Sequence, residues 1–282
     1  MNLRAKAVRA AWSQFMIIVS GLCAGLCGAV LAIVVAYVVS KGIKAINWSF
    51  FTKLPTPVGV PGGGVANAIV GSFEIIAMAS LAAIPLGVLA GIYLALFGRG
   101  RLAALVRFFS DVLTGMPSIA IGMFAYSLVV IPTGHFSAIS ASVALAVIML
   151  PIVVRTTEEA VRLVPSTIRE GALALGIPAW KATLRVTVPV ARPGIVTGAL
   201  LAVARVAGES APLLFTAFGS QFWSRGIGQP TAALPLTIFN YAISAYADWK
   251  QIAWGCALLL VALVFALNLT ARLAFSSRVA AH

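Results

Sequence analysis

Apolar residues along the 282-residue chain gather into six long runs, and polar and basic residues are concentrated between them. The runs extend over approximately Gln14 to Ser40, Ala66 to Phe97, Ser110 to Ile131, Ser137 to Val154, Gly194 to Phe218 and Ile252 to Phe275. A bilayer core of about 30 Å takes about 20 helical residues, so each run predicts one membrane-spanning helix. The second is long enough to include a break at Pro85 or Gly87. The short basic stretch Arg99 to Phe109 is amphipathic and predicts a helix lying on the membrane surface before the third span. Two intervening segments read as external loops. Residues 41–65 contain Pro55, Pro57, Pro61 and Gly62-Gly63-Gly64, which predicts turns rather than helix. Residues 220–250 carry Phe222, Trp223, Pro230, Pro235 and Trp249, and suit an external partner as well as an interfacial aromatic belt.

Composition turns this pattern into a class. With 61% apolar and 10% charged residues, the chain cannot cover a soluble globule with polar surface. It reads as an all-α polytopic membrane protein of about six transmembrane helices, forming a single domain over residues 1–282. A net charge of +13 would point to nucleic acid in a soluble protein, but its placement gives another explanation. Arg4, Lys6, Arg9, Arg99, Arg101, Arg107, Arg155, Arg162, Arg169, Lys181, Arg185, Arg192, Arg272 and Arg278 fall on one side of the alternating topology, which is 14 of the 20 Lys and Arg residues. Lys41, Lys44, Lys53, Arg225 and Lys250 fall on the other. The positive-inside rule then puts both termini in the cytoplasm, and no nucleic-acid partner is required.

The run from Phe15 to Val39 is too long for a signal-peptide core, and no clear cleavage site follows it, so it is expected to remain as a helix. Cys23, Cys27 and Cys256 lie within spans with no further Cys or His to complete a metal site, so small packing residues are expected. Gly21 with Gly25, and Gly87 with Gly91, stand four residues apart and predict close helix contact within the bundle. No Gly-x-x-x-x-Gly-Lys-Ser/Thr phosphate loop and no His-Glu-x-x-His occur, and the only histidines are His135 and His282. The chain is therefore not expected to hydrolyse ATP, or to have catalytic residues, a metal or a cofactor.

The stretch from Arg155 to Gly194 carries a local pattern of its own. Thr167 and Glu170 stand at capping-box spacing and predict a helix start. Gly176-Ile177-Pro178 predicts a stop and a restart, since Gly tolerates the left-handed cap and Pro suits a new first turn. On the second short helix Trp180 and Leu184 share a face, and Lys181 and Arg185 an adjacent one. An ordinary helical hairpin on the membrane surface would account for this much. The longer spacing, however, is Glu170-Gly171-Ala172, three residues, Gly176, nine residues, Val186-Thr187-Val188-Pro189. It resembles the cytoplasmic loop of bacterial ABC importer permeases, in which Glu-Ala-Ala, three residues, Gly and nine residues precede Ile-x-Leu-Pro. Gly171, Val186 and Val188 depart from that pattern while keeping small residues small and apolar residues apolar. The resemblance implies that residues 155–194 are a coupling loop docking on a separate ATPase, with Glu170, Gly171, Ala172, Gly176, Trp180 and Pro189 contributing to it.

The fifth run contains Arg205-Val206-Ala207-Gly208-Glu209-Ser210-Ala211-Pro212. Arg205 lies about ten residues into that run, about 15 Å at 1.5 Å per residue, near the bilayer middle. An arginine there costs at least about 2.5 to 3.5 kcal/mol and requires a partner or water. Glu209, one turn on, is the expected partner. The pair reads either as a structural ion pair or as part of an anion pathway with Arg205 exposed to it. Glu74 and Asp111 fit snorkelling or capping, while Pro85, Pro117, Pro151 and Pro212 predict kinks. Ala204 to Phe218, with Gln221-Phe222-Trp223, Gln229-Pro230 and Leu234-Pro235, resembles the permease subunits of bacterial phosphate-specific ABC importers. That resemblance implies a MetI-like fold and a place in the inner membrane. It also implies phosphate as substrate, a homologous second permease, two ATPase subunits and an extracytoplasmic phosphate-binding protein. Arg205 would then lie on the phosphate path with Glu209 nearby, and Arg155 is a weaker candidate for the same path. A same-fold permease for sulfate, molybdate or phosphonate, to be separated by uptake competition, is the alternative. A membrane enzyme, marked by turnover without an ATPase, is poorly supported.

Overall fold

The computed structural model describes residues 3–60 and 62–279; Pro61 of the turn-rich loop and His282 lie outside the described residues. Thirteen α-helices follow in order: α1 Leu3–Gly42, α2 Trp48–Thr52, α3 Ala66–Leu96, α4 Arg101–Gly115, α5 Ser118–Ala125, α6 Ile131–Thr133, α7 Ala138–Arg162, α8 Ser166–Ala174, α9 Ala179–Ala182, α10 Val188–Ala207, α11 Ala211–Thr216, α12 Leu234–Ala242 and α13 Ala247–Val279. π-helical turns at Tyr126–Val130 and Thr183–Thr187 join α5 to α6 and α9 to α10. Among the described residues five stretches are long and apolar enough to cross a membrane: Trp12–Ala45, Ala66–Leu96, Ala138–Arg162, Ala179–Ala207 and Ala247–Thr270. Arg101–Gly115 and Ser118–Thr133, bent by 108°, form the sixth candidate together.

Three spans depart from their expected bounds. The third span does not run straight from Ser110, because α4 continues the surface helix to Gly115 and the chain turns at Met116-Pro117. Pro117 lacks an N–H and biases Met116 to extended backbone, here ψ 138°. The fourth span continues two turns past Val154, to Arg162. The fifth begins at Ala179 rather than Gly194 and stops at Ala207 rather than Phe218. Pro189 directly follows the π-helical segment within this continuous stretch. Pro85 and Pro151 sit inside continuous helices, so no break occurs at Pro85 or Gly87.

The core is the parallel pair α3 and α7, in which Gly87 meets Val153 and Gly91 meets Thr157, and against which α10, α5 and α11 pack. Ile75, Ala79, Ala83, Leu145, Met149, Val153, Val206 and Leu213 are its buried side chains. Gly87 and Gly91 set the α3–α7 distance: a Cβ on Gly91 would stand 2.6 Å from Thr157 Cβ and 2.7 Å from the Val154 carbonyl oxygen. Gly21 and Gly25 behave differently, with nothing within 4 Å, and Cys23 and Cys27 are exposed. They do not pack within this chain, because α1 meets the bundle only near its end, where Tyr37 stacks edge-on to Trp254. Cys256, by contrast, is fully buried.

The 41–65 segment is more ordered than its turn content predicts. Asn47 caps α2 by accepting from the Phe50 amide at 2.9 Å, and Phe50 is fully buried beside α13. The 217–233 segment returns to the start of α7, whose Ala138 and Ile139 amides donate to Gln229 O and Ile227 O, and Phe218, at φ 61°, forms a bridge to Thr231.

Gly91→Leu is expected to lower thermal stability in detergent by more than the 1–3 kcal/mol typical of overpacking, because one obstacle is a backbone carbonyl. Gly25→Leu, in open space, is expected to leave the melting temperature unchanged. Equal melting of both variants and wild type would show that Gly91 does not set the α3–α7 spacing.

Candidate functional site

Charged groups gather where α3 and α7 end. Arg155, Glu158 and Arg162 lie three and four residues apart on α7, and therefore share one face. Glu158 is 2% exposed. Its Oε1 accepts from Arg107 Nε on α4 at 2.8 Å and lies 2.6 Å from Arg162 Nη2, while Arg155 Nη1 is 3.7 Å from Oε2. Arg107 also donates through Nη2 to the Leu94 carbonyl at 2.9 Å, closing off the end of α3. Arg155 in turn donates from Nε to Asp111 Oδ1 at 3.0 Å. Asp111 thus ties α4 to α7, a role beyond the snorkelling or capping expected of it. An isolated carboxylate buried to this degree would be neutralised or expelled, so the surrounding guanidinium groups are what permit it. Glu158 was not singled out by sequence reasoning, although Arg155-x-x-Glu158-x-x-x-Arg162 is legible once the helix is known to continue past Val154.

Beyond α7 the chain makes the short hairpin α8–α9. Its entry differs from the expected capping box: Pro165 is the N-cap, without a side-chain bond, and Thr167 and Glu170 lie inside the helix. Its exit is as expected. Gly176 has φ 79°, its amide donates to Leu173 O at 2.9 Å, and the Ile177 amide donates to Ala172 O at 3.2 Å. These are the two bonds of a Schellman closure, which requires the left-handed conformation that glycine tolerates. Ala172 is buried, whereas Glu170, Gly171, Gly176, Trp180 and Pro189 are exposed. Leu163 and Leu175 are 83% and 82% exposed, and Trp180 is 61% exposed. Gly171 has open space around its Cβ position, so alanine would fit there.

Arg205 and Glu209 do not form the expected ion pair. The four ion pairs among the described residues involve neither. The reason is local: α10 ends at Ala207, the Gly208 and Glu209 amides donate three residues back, and Ser210 begins the approach to α11. The 3.6-residue face that would bring positions 205 and 209 together stops there. Arg205, exposed in the last turn of α10, meets the partial negative charge of that helix end instead, worth about 0.3–1 kcal/mol. Glu209, half-buried, lies just before the amino end of α11.

At the opposite end of the bundle a cleft of about 300 Å³ lies between Phe218, Ser220, Gln221, Thr237, Asn240 and Tyr241, with no charged side chain lining it. Burial pushes the Tyr241 phenol up to about 12, so it stays neutral. Asn67 supports this rim by donating to Ser220 O at 2.7 Å.

Paired spans around a small-residue seam, one strongly bent span and a helical hairpin with an exposed apolar tip describe a polytopic helical membrane protein. Residues 83–277 match the family of binding-protein-dependent transport system inner membrane components. The phosphate transport system permease protein PstA of Yersinia pestis is 46% identical over 241 residues, covering 85% of this chain and 82% of that protein. The PstA protein of Pasteurella multocida is 41% identical over 267 residues, covering 94% and 95%. The chain therefore belongs to the PstA family of inner membrane permease components. A solved inward-facing MetNI methionine ABC transporter shares its fold, with a TM-score of 0.58 at 20% identity over 73% of this chain and 94% of that one. The protein is a multi-pass ABC importer permease of MetI-like fold, works with other ABC subunits in the inner membrane, and is a transporter component rather than an enzyme.

Glu158→Ala, which leaves three arginines without their shared acceptor, is expected to destabilise the protein by about 3 kcal/mol. Asp111→Asn, at a side chain 60% exposed, is expected to cost less than about 1 kcal/mol. Thermal unfolding of the purified variants decides; equal losses would refute a central role for Glu158.

Proposed function

We propose that this chain is the permease subunit of an ATP-driven inorganic phosphate importer and forms the translocation pathway with a second, homologous permease. The observation that carries the reading is the extent of likeness to phosphate transport permeases, 46% identity over 85% of the chain. Two ATPase subunits would dock on the coupling loop within residues 155–194, and an extracytoplasmic phosphate-binding protein would deliver substrate to the loops of residues 41–65 and 220–250. The arginine bias supports cytoplasmic termini. Competition between radiolabelled phosphate and sulfate, molybdate or phosphonate in uptake assays tests the substrate: inhibition by sulfate as strong as by unlabelled phosphate would point to a broader oxyanion permease.

Arg205 is the principal pathway residue in this reading. α10 ends at Ala207 with Arg205 exposed in its last turn, and in this reading that exposed guanidinium faces the translocation path. The group, free of a carboxylate partner among the described residues, offers a transient positive site for an anion. Glu209 would keep the site weak enough to release phosphate. Arg155, already engaged by Asp111 and Glu158, is the secondary candidate.

The exposed apolar tip of the α8–α9 hairpin fits the docking role. Leu175 and Trp180 flank the Gly176 turn and stay largely exposed, with the Lys181 ammonium over the Trp180 ring. ATP-driven closure of the ATPases would move this hairpin, and through α7 and α9–α10 the movement would reach the helix that carries Arg205.

Because Arg205 is not an ion-pair partner in this fold, Arg205→Gln is expected to assemble normally yet lower phosphate uptake at least tenfold, while Arg205→Lys retains part of the flux through its charge. The Arg205→Gln, Glu209→Gln double variant should behave in the same way. Near-normal uptake by these charge-neutral variants, at matched membrane abundance, would exclude Arg205 from the pathway.

Gly176→Val is expected to leave the protein in the membrane and ATP hydrolysis measurable, but to abolish uptake. No atom lies within 4 Å of the new Cβ, so the effect comes from a β-branched residue forced to φ 79°. Transport at the wild-type rate would remove the support for docking through this turn.

A further inference from the structure

The base of the α8–α9 hairpin contains a second cationic feature, separate from Arg205. A cleft of about 220 Å³ opens between the end of α3, the end of α7 and the start of α8, lined by Leu96, Val161, Arg162, Ser166, Arg169 and Thr187 among others. Two of its lining residues are arginines, and none is a carboxylate. Arg162 spends one amino group on Glu158. Arg169 makes no ion pair among the described residues; its guanidinium sits over the Phe97 ring, 5.5 Å from the centroid, and its Nε is buried with no hydrogen-bond partner. A buried charged donor left without an acceptor is costly, and stacking on an aromatic face does not supply one. The uncapped first turn of α8, with the Ser166 hydroxyl, adds unsatisfied donors and a partial positive charge on the same wall.

We propose that this cleft binds a phosphate group, held by Arg169, Arg162 and the start of α8. The chemistry is that of a compact, multiply charged oxyanion: planar guanidinium forks match its oxygens, and helix amino ends favour its charge. Free orthophosphate and the headgroup of an anionic phospholipid both supply that group. Either occupant bridges α7 and α8, so binding tightens the base of the hairpin whose tip is proposed to dock on the ATPase. A site that opens at the hairpin, rather than at the α10–α11 break, answers to phosphate on its own side of the membrane independently of the anion in transit.

The test uses the assembled importer carrying Arg205→Gln, so that binding at the proposed pathway residue is weakened in every sample. Orthophosphate binding is measured by equilibrium dialysis in phosphatidylcholine nanodiscs, and phosphatidylglycerol retention by native mass spectrometry. Adding Arg169→Gln is expected to weaken one of the two ligands by about tenfold or more, the loss of a charge-assisted hydrogen bond, and Arg169→Lys to restore part of it. The ligand affected identifies the source. Ser166→Glu provides a second variant at an exposed position where an acid suits the helix, and its carboxylate is expected to compete with the phosphate group. Unchanged binding of both ligands in Arg169→Gln and Ser166→Glu would overturn the proposal, whatever becomes of the role assigned to Arg205.

Discussion

Glu158 is a carboxylate withdrawn almost entirely from solvent, and the basic end of the bundle is arranged around that constraint. Three guanidinium groups converge on it: Arg155 and Arg162 from its own helix and Arg107 from α4. Arg107 reaches onward to the Leu94 carbonyl, so one buried acid indirectly joins α4, α7 and the end of α3. Such a cluster adds little stability compared with a hydrophobic replacement, but a single missing partner leaves a buried charge uncompensated. It therefore works chiefly as a device of register. α4, packed on α3 and α7 through Ala103 and Val106, is fixed further by these ionic contacts.

The same ends of α3 and α7 carry the hairpin. α3 and α7 approach closely at Gly87 and Gly91, and this seam extends from the hydrophobic core towards the ionic cluster. A hairpin mounted on a tightly packed pair transmits displacement rather than absorbing it, because close-packed interiors have low compressibility. The continuous Ala179–Ala207 stretch gives a second connection, from the hairpin to Arg205. Proline placement is consistent with this division. Pro85 and Pro151 are accommodated within helices, whereas Pro117 and Pro212 stand at the changes of direction. Gly122 and Pro212 meet at one of those points, close enough that no Cβ fits between them.

The break after Ala207 changes how the polar chemistry of the fifth span is understood. Within an unbroken helix, Arg205 and Glu209 would neutralise each other and little charge would remain for a substrate. With the helix ended, each charge meets a helix terminus of opposite sign, a weaker partner than a full ion pair. In the proposed pathway role, such weak compensation would let the site attract an anion and then release it.

How much could be read from the sequence follows from the range of the interactions involved. Six apolar runs, the surface helix before the third span, the left-handed turn at Gly176 and the resemblance of residues 170–189 to importer permeases all depend on neighbours in the chain, and all were legible. So was the family itself, since the Arg205 to Pro212 segment and the motif spacing are sequence-local. What failed depended on a local rule being overridden by its surroundings. Thr167 and Glu170 have capping-box spacing, but Pro165 starts the helix earlier. Arg205 and Glu209 have ion-pair spacing, but the helix ends between them. Gly21 with Gly25 and Gly87 with Gly91 share one sequence pattern, yet only the second pair faces another helix of this chain. Periodicity along one helix does not specify which partner its face meets. For that reason the Glu158 cluster and the arginine-lined cleft, both built from segments far apart in sequence, were decided by tertiary structure alone.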